Sequence, residues 1–343
     1  MKDKKILMTF LLFSAIFALI LRTEAVTVAA QNALLLCVTS VIPALFPFFV
    51  LTGLMVNTGV VALLGKVLAP ISKKLFKTSG AGAVVFVMGI LCGYPTGAKV
   101  ISELCLKGKL TKDESERLLA FCNNSGPLFV IGAVGAGMLG NKDLGILLYC
   151  IHALSAIITG LFLSLFAKEQ ESAVRIDVGA VSFGEAFTES VESAVKSILN
   201  VCGYVVFFGC FLSVISPYIK SVFIKSLIEV TVGAKDIVSS GLSKDVILTL
   251  LSGAIGFGGL CVYFQVRGAV AKAQLSTVCY LFGKTLQMTV SMAIMKIYLS
   301  LNGDTAVFAP VHDVHNTFHI SYVMLFAFLL CAVFTLRRLT KNG

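Results

Sequence analysis

Two short runs in this sequence are built for chemistry, Cys92-Gly93-Tyr94-Pro95-Thr96-Gly97-Ala98-Lys99 and Asn123-Asn124-Ser125-Gly126-Pro127. Both interrupt apolar stretches. Neither can continue a helix, because Pro lacks a backbone donor and Gly favours turns. Lipid cannot hydrogen-bond exposed backbone, so a broken helix persists at membrane depth only where it faces protein or a wet cavity. The start of a half-helix offers free N–H groups and a partial positive charge, which suits an anion. Asn123 and Asn124 add amides, Ser125 is placed to cap the helix that begins near Pro127, and Tyr94 and Thr96 add hydroxyls. A third run, 256–265, is broken by Gly256, Gly258 and Gly259 and ends on Gln265. Gly93, Pro95, Gly97, Gly126, Pro127, Gly258 and Gly259 are the residues that shape the breaks. The competing reading is three kinks filled by neighbouring helices.

Lys99 and Arg267 each follow a tip. There a cation can bind a carboxylate, and Arg does so bidentately; from a segment end each can equally snorkel to headgroups. Lys284 and Lys296 read as end anchors if the span between them starts at Thr285, leaving Gln287 to face the bundle. His312, His315 and His319 with Asp313 have spacing that permits a metal on a helix. They follow Pro310 in a polar stretch without Lys or Arg and read instead as an external connection, so no metal and no cofactor is assigned. The ten Cys form no C-x-x-C pair and read as packing thiols. The spacing of a P-loop fails, and neither G-x-S-x-G nor H-E-x-x-H is present. The carboxylates read as loop or amphipathic-helix groups, unpaired inside the membrane, and no enzyme is expected.

The elements that must hold these runs follow from composition. Of 343 residues, 57% are hydrophobic and 13% charged, with a mean hydropathy of +0.93; a soluble domain carries about 25% charged residues. That deficit excludes a soluble enzyme, a disordered chain and a nucleic-acid-binding domain. The fold class is all-α, a polytopic transmembrane protein. The net charge of +10 comes from cations between apolar runs, the pattern of loops kept in the cytoplasm and not of a nucleic-acid surface.

Residues 6–21 read as a retained first helix, although Thr23-Glu24-Ala25 resembles a cleavage site. Residues 33–64, broken by Pro43, Pro47, Gly53 and Gly59, read as an interfacial segment leading into a span, and Lys66, Lys73, Lys74 and Lys77 as a basic cytoplasmic loop. Thr111 to Glu114 forms a capping box that starts a helix running to Cys122. Apolar runs then cover 128–139 and 144–166, and a polar linker covers 168–177. Phe183, Phe187, Val191, Ala194 and Ile198 share one face of a surface helix, continued to 219 with interruptions at Gly203 and Gly209. A weaker segment at 222–234 precedes apolar runs at 246–266, 277–301 and 320–336, and the tail holds Arg337, Arg338 and Lys341. The organisation is an N-terminal helix with a short external segment (1–30), a first membrane repeat (31–167), a linker with an interfacial helix (168–197), a second repeat (198–300), then an external loop, last span and basic tail (301–343). Residues 32–60 echo 192–217, and 80–99 echo 248–267. This is the pattern of two repeats, inverted, with re-entrant or broken helices, which in secondary transporters marks the binding site.

The run Gly93 to Lys99, then Glu103-Leu104 and Lys107-Gly108-Lys109-Leu110-Thr111, resembles the YlbJ family of sporulation integral membrane proteins. Phe121-Cys122-Asn123-Asn124-Ser125-Gly126-Pro127-Leu128-Phe129 is similar to its next block, and Gly256-Phe257-Gly258-Gly259-Leu260 with Gln265-Val266 to its second-half signature, departing from it around 262–264. The resemblance implies a nucleoside-recognition or gate architecture related to concentrative nucleoside transporters, each repeat supplying a re-entrant hairpin. It also implies loading of the developing spore with dipicolinic acid, an aromatic dicarboxylate. The expected function is therefore carriage of a small organic anion, with a nucleoside carrier and a non-transporting sporulation scaffold as rivals. The expected substrate-binding residues are Asn123, Asn124, Ser125, Lys99, Arg267, Tyr94, Thr96 and Gln265. The expected place is the bacterial cell membrane, in multiple passes, with the outer forespore membrane as the specific candidate. The expected partners are the substrate and the bilayer, with no nucleic acid; a homo-oligomer or sporulation membrane partners stay open.

Overall fold

Backbone in lipid must close its own hydrogen bonds, which leaves helices as the solution for runs this apolar. The computed structural model describes residues 2–167 and 182–302, and every regular element among them is helical. The linker at 168–177, the histidines at 312, 315 and 319 with Asp313, the run at 320–336 and the basic tail lie outside the described residues.

The chain begins with α1 (Lys2–Leu21) and α2 (Thr23–Leu36), which passes through a π-type turn, Cys37–Val41, into α3 (Ile42–Asn57). Pro43 costs α3 nothing, because it sits in the first turn, where no helical donor is required. Gly59, at φ 76°, then turns the chain, and α4 (Val60–Phe76) leaves at 85° to the end of α3. Lys66, Lys73 and Lys74 lie exposed on α4, so the expected basic loop is a helix whose cations occupy one side.

Next, α5 (Gly80–Cys92) and α6 (Thr96–Leu106) pack on one another as a hairpin. At about 1.5 Å per residue, neither arm alone crosses the ~30 Å hydrocarbon core. Then α7 (Lys112–Cys122) stops at the second break and continues as a wide-turn helix, Leu128–Met138, in which Leu139 N–H reaches back five residues to Val134 O. The long α8 (Lys142–Ser164) closes the first half. The expected capping box is half formed: Thr111 Oγ1 accepts Glu114 N–H at 3.2 Å, but the Glu114 carboxylate accepts Ser79 N–H at 2.6 Å and ties α7 to the start of α5.

In the second half, α9 (Phe183–Ile215) is one helix of 33 residues. Gly203 and Gly209 do not interrupt it, and the surface helix expected at its start is its first turns. Its buried side runs through Ala186, Ser190, Ala194 and Ile198, while Phe183 is 71% exposed. The weak segment is a second hairpin, α10 (Val222–Ile228) packed on α11 (Val230–Val238). The apolar run at 246–266 is a broken through-running segment, α12 (Lys244–Phe257) and α13 (Gly259–Val270), 27 residues in all. Its break, at the left-handed Gly258 and Gly259, does not reverse the chain. Last comes α14 (Val278–Leu301). Hairpin, broken segment and long helix thus occur in that order twice.

Among the described residues, five segments are long and apolar enough to cross a membrane, six if the bent α3–α4 pair is one span. The halves interlock: α14 packs on α7, α8 and α12, while α13 packs on α6 and α9 on α3. Glycine permits the closest of these approaches. A Cβ on Gly89 or Gly97 would collide with the carbonyl of Cys122, whereas Gly203 has nothing within 4 Å. We therefore expect Gly89→Val to destabilise the protein by about 1–3 kcal/mol and Gly203→Ala to be neutral. A thermal melt in detergent, followed with a thiol-reactive dye that reads the buried cysteines, checks both.

Candidate functional site

Four helix breaks meet in a row at the centre of the structure. A Cβ built on Gly93 would lie 3.0 Å from Gly126 N, and one on Gly126 would lie 3.1 Å from Gly93 N, so the first two breaks touch backbone to backbone. The Tyr94 ring reaches across to Gly258, 3.8 Å from the position a Cβ would take there. Gly259 in turn lies against Ile228 O and Val230 N, each 3.3 Å from its Cβ position, on either side of Glu229. Gly93, Gly258 and Gly259 have φ of 80°, 84° and 86°, a left-handed conformation that a side chain would oppose.

At this junction polar side chains stand without partners. Thr96 Oγ1, Asn123 Nδ2, Ser125 Oγ and Tyr280 Oη are buried and make no hydrogen bond; nor does Gln265 Oε1 on α13. Buried polar groups are nearly always bonded, and an unmet one costs roughly 1–3 kcal/mol. Tyr280 Oη has Asn123 for a neighbour and Ser125 Oγ has Tyr94, near enough to interact but not in hydrogen-bonding geometry. The junction is therefore a concentration of unused donors and acceptors within a bundle whose other polar groups are largely satisfied.

The remaining polar atoms hold the breaks in place. Asn123 Oδ1 accepts Ala98 N–H at 3.3 Å, capping α6 from the neighbouring break. Asn124 Nδ2 donates to Phe121 O at 2.7 Å, and its Oδ1 accepts from Lys284 Nζ at 3.2 Å and Gln287 Nε2 at 3.0 Å. Ser125 N–H donates to His152 Nε2 at 3.0 Å, and Gln287 Nε2 donates to His152 O at 3.3 Å. Ser125 does not cap the helix after Pro127; its hydroxyl is among the unmet groups.

Gln265 lies on the buried face of α13 with its Nε2 3.3 Å from Cys261 Sγ, and five of the eight expected binding residues are brought to the junction: Tyr94, Thr96, Asn123, Asn124 and Ser125. The two cations are not. Arg267 is exposed on α13, 3.4 Å from the Tyr263 hydroxyl and two residues past Gln265, so on the opposite side of the helix from that buried face. Lys99 points towards α3 and α9, donating to Ser193 O at 3.4 Å with its amine 5.6 Å from the centre of the Phe49 ring. Of the break-shaping residues, Gly93, Gly126, Gly258 and Gly259 lie at the contacts just described, Pro95 immediately precedes α6, Gly97 admits Cys122, and Pro127 immediately precedes the wide-turn helix.

Six residues on three other elements enter the site that the sequence pointed to only weakly. Tyr280, Lys284, Gln287 and Ser291 share one buried face of α14. Their spacing was a visible signal, lost if the span is started at 285; Lys284 is 2% exposed and is no end anchor, unlike exposed Lys296. His152 is buried near the middle of α8. Glu229 is buried between α10 and α11, where its carboxylate caps α11 by accepting Thr231 N–H at 3.1 Å and Val232 N–H at 2.6 Å. The interior does therefore hold a carboxylate at a break. Among the described residues no cluster of three or more His, Cys, Asp or Glu could hold a metal.

Residues 38–167 match the family model described as Gate, nucleoside recognition. The chain is also 28% identical over 289 residues to the sporulation integral membrane protein YlbJ of Bacillus subtilis (strain 168), a match covering 72% of this chain and 71% of that one. The YlbJ-type resemblance is borne out. No solved structure matches. The chain is an integral, multi-pass membrane protein with a Gate-type segment. That segment contains the first two breaks and His152, while Glu229, Gln265, Tyr280 and Lys284 lie beyond it.

The division of labour is measurable. Ser125→Ala and Tyr280→Phe each delete an unmet hydroxyl and should melt at or above the wild-type temperature. Asn124→Leu removes an acceptor shared by Lys284 and Gln287 and should melt well below it, at a cost of about 3 kcal/mol or more.

Proposed function

We propose that this chain carries a small organic anion across a membrane, dipicolinic acid foremost, binding it where the four helix breaks meet. One observation carries the reading: four buried polar atoms without hydrogen-bond partners, on Thr96, Asn123, Ser125 and Tyr280, stand at a junction of broken helices. A cargo with several hydrogen-bonding atoms would meet them, and short half-helices allow the junction to open to either side without unfolding a whole span. The two passes of hairpin, broken segment and long helix are the arrangement that two repeats would supply. The likeness to a sporulation membrane protein supports a role in spore formation, with the outer forespore membrane as the place of action. Transport by alternating access or facilitated passage, and not catalysis, is what such a site would do.

A nucleoside-type cargo is the second reading. It is favoured by the Gate match and by Glu229, a buried carboxylate beside the Gly258–Gly259 break that could accept from a sugar hydroxyl.

Uptake of labelled dipicolinate and labelled uridine into proteoliposomes holding the full chain separates the readings. Saturable dipicolinate uptake is expected, reduced roughly tenfold by Tyr280→Phe or Ser125→Ala and unchanged by Arg267→Gln. Uridine uptake alone would establish the second reading. No uptake of either, with spores of the Tyr280→Phe strain normal in dipicolinate, would leave a scaffold role.

A further inference from the structure

The reading above leaves unexplained a lysine amine sealed inside the bundle with neutral partners. Lys284 is 2% exposed, and around it Asn124 and Gln287 are fully buried and His152 is 1% exposed. Its Nζ donates to Gln287 Oε1 at 2.7 Å and to Asn124 Oδ1 at 3.2 Å, which leaves one of the three donors of an ammonium group. Both acceptors are uncharged amides. Among the described residues no carboxylate forms an ion pair with this amine within 4.0 Å. A buried cation without a counter-charge is among the most costly features a protein interior can hold.

The amine also adjoins the unmet groups. Tyr280 lies one turn earlier on the same face of α14, with its hydroxyl beside Asn123. Asn124, which holds the amine, is flanked by Asn123 and Ser125, both with orphaned atoms. His152 joins the two sets: its Nε2 accepts Ser125 N–H at 3.0 Å, and its Nδ1 stands 3.4 Å from Gln287 Nε2. Amides, hydroxyls and one cation thus face a common junction whose one buried carboxylate, Glu229, is committed to the backbone of α11 and forms no ion pair with the amine.

We propose that Lys284 is the specificity-determining cation of the site: a carboxylate of the cargo supplies the missing counter-charge, and the amide oxygens of Asn124 and Gln287 aim the amine at it. This rests on the transport reading and adds to it the charge class of the cargo and the residue that reads it. Lys99 and Arg267, the cations adjacent to the sequence motifs, have no part in it.

The test is uptake into proteoliposomes of the full chain, with dipicolinate, its uncharged diamide (pyridine-2,6-dicarboxamide) and uridine as labelled probes. Wild type should prefer dipicolinate to the diamide. Lys284→Gln should lower dipicolinate uptake by roughly 30-fold or more while leaving diamide uptake within a few-fold, and Lys284→Arg should keep the preference for the anion. Equal loss of both probes in Lys284→Gln would make the lysine a structural strut and overturn the proposal. Should Lys284→Gln fail to fold, the wild-type preference and the Lys284→Arg result still decide: a wild type that moves the diamide or uridine as well as dipicolinate has no charge-reading residue. That outcome overturns the proposal and leaves the transport reading standing, whereas a wild type that moves none of the three probes overturns both.

Discussion

Everything in this structure turns on the cost of leaving a backbone N–H or C=O unpaired in lipid. A continuous helix avoids that cost, and α8, α9 and α14 do so over 23, 33 and 24 residues. Four interruptions accept it, two by borrowing groups from other elements and two with groups of their own. Asn123 caps α6 at the first break, His152 accepts the Ser125 N–H at the second, Glu229 caps α11 at the third, and Gly258 closes α12 through its own N–H to Ala254 O. Because the first two breaks are capped by other elements, those two persist only together with their neighbours. Their convergence follows from the same cost that forbids either of them alone.

Convergence in turn requires backbones to approach more closely than side chains allow. Gly93 against Gly126, Gly89 and Gly97 against Cys122, and Gly283 against Ala120 supply the necessary space. Small residues at helix contacts are the usual means of close packing in membranes, where lipid offers no hydrophobic drive for association. Here they have a second consequence, since they seat the polar tips deep in the bundle, where an unmet hydroxyl has no water to turn to. Packing and recognition are therefore products of the same glycines.

Much of this was legible in the sequence. The charge deficit and the apolar runs established an all-α membrane protein, and the motifs at 93–99 and 123–127 marked two breaks to the residue, because Pro and Gly act locally. What was not legible depends on contacts between segments distant in sequence. The break at Glu229 carries no Pro or Gly of its own and is made by a carboxylate folding back on Thr231 and Val232. Glycines are dense at 246–266, yet the left-handed pair Gly258 and Gly259 only interrupts a helix there, and the second hairpin lies at 222–238. The cations beside the motifs were natural candidates by proximity along the chain, but helix rotation sends Lys99 towards α9 and Arg267 to the surface.

Asn123 and Asn124 make the limit of sequence reasoning concrete. Adjacent, of one type and both fully buried, they are equivalent to any pattern-based reading. At the end of α7 the backbone leaves the helix at Asn123, with φ −107° and ψ 91°, so the two side chains diverge. Asn124 has its amide nitrogen on Phe121 O and its oxygen shared by Lys284 and Gln287, leaving neither atom without a partner. Asn123 commits its oxygen to α6 and keeps its amide nitrogen unmet beside Tyr280. One asparagine holds the junction together and its neighbour keeps a donor unused there. A leucine at both positions would remove these roles at once and could not tell one from the other, which is why the site has to be taken apart one residue at a time.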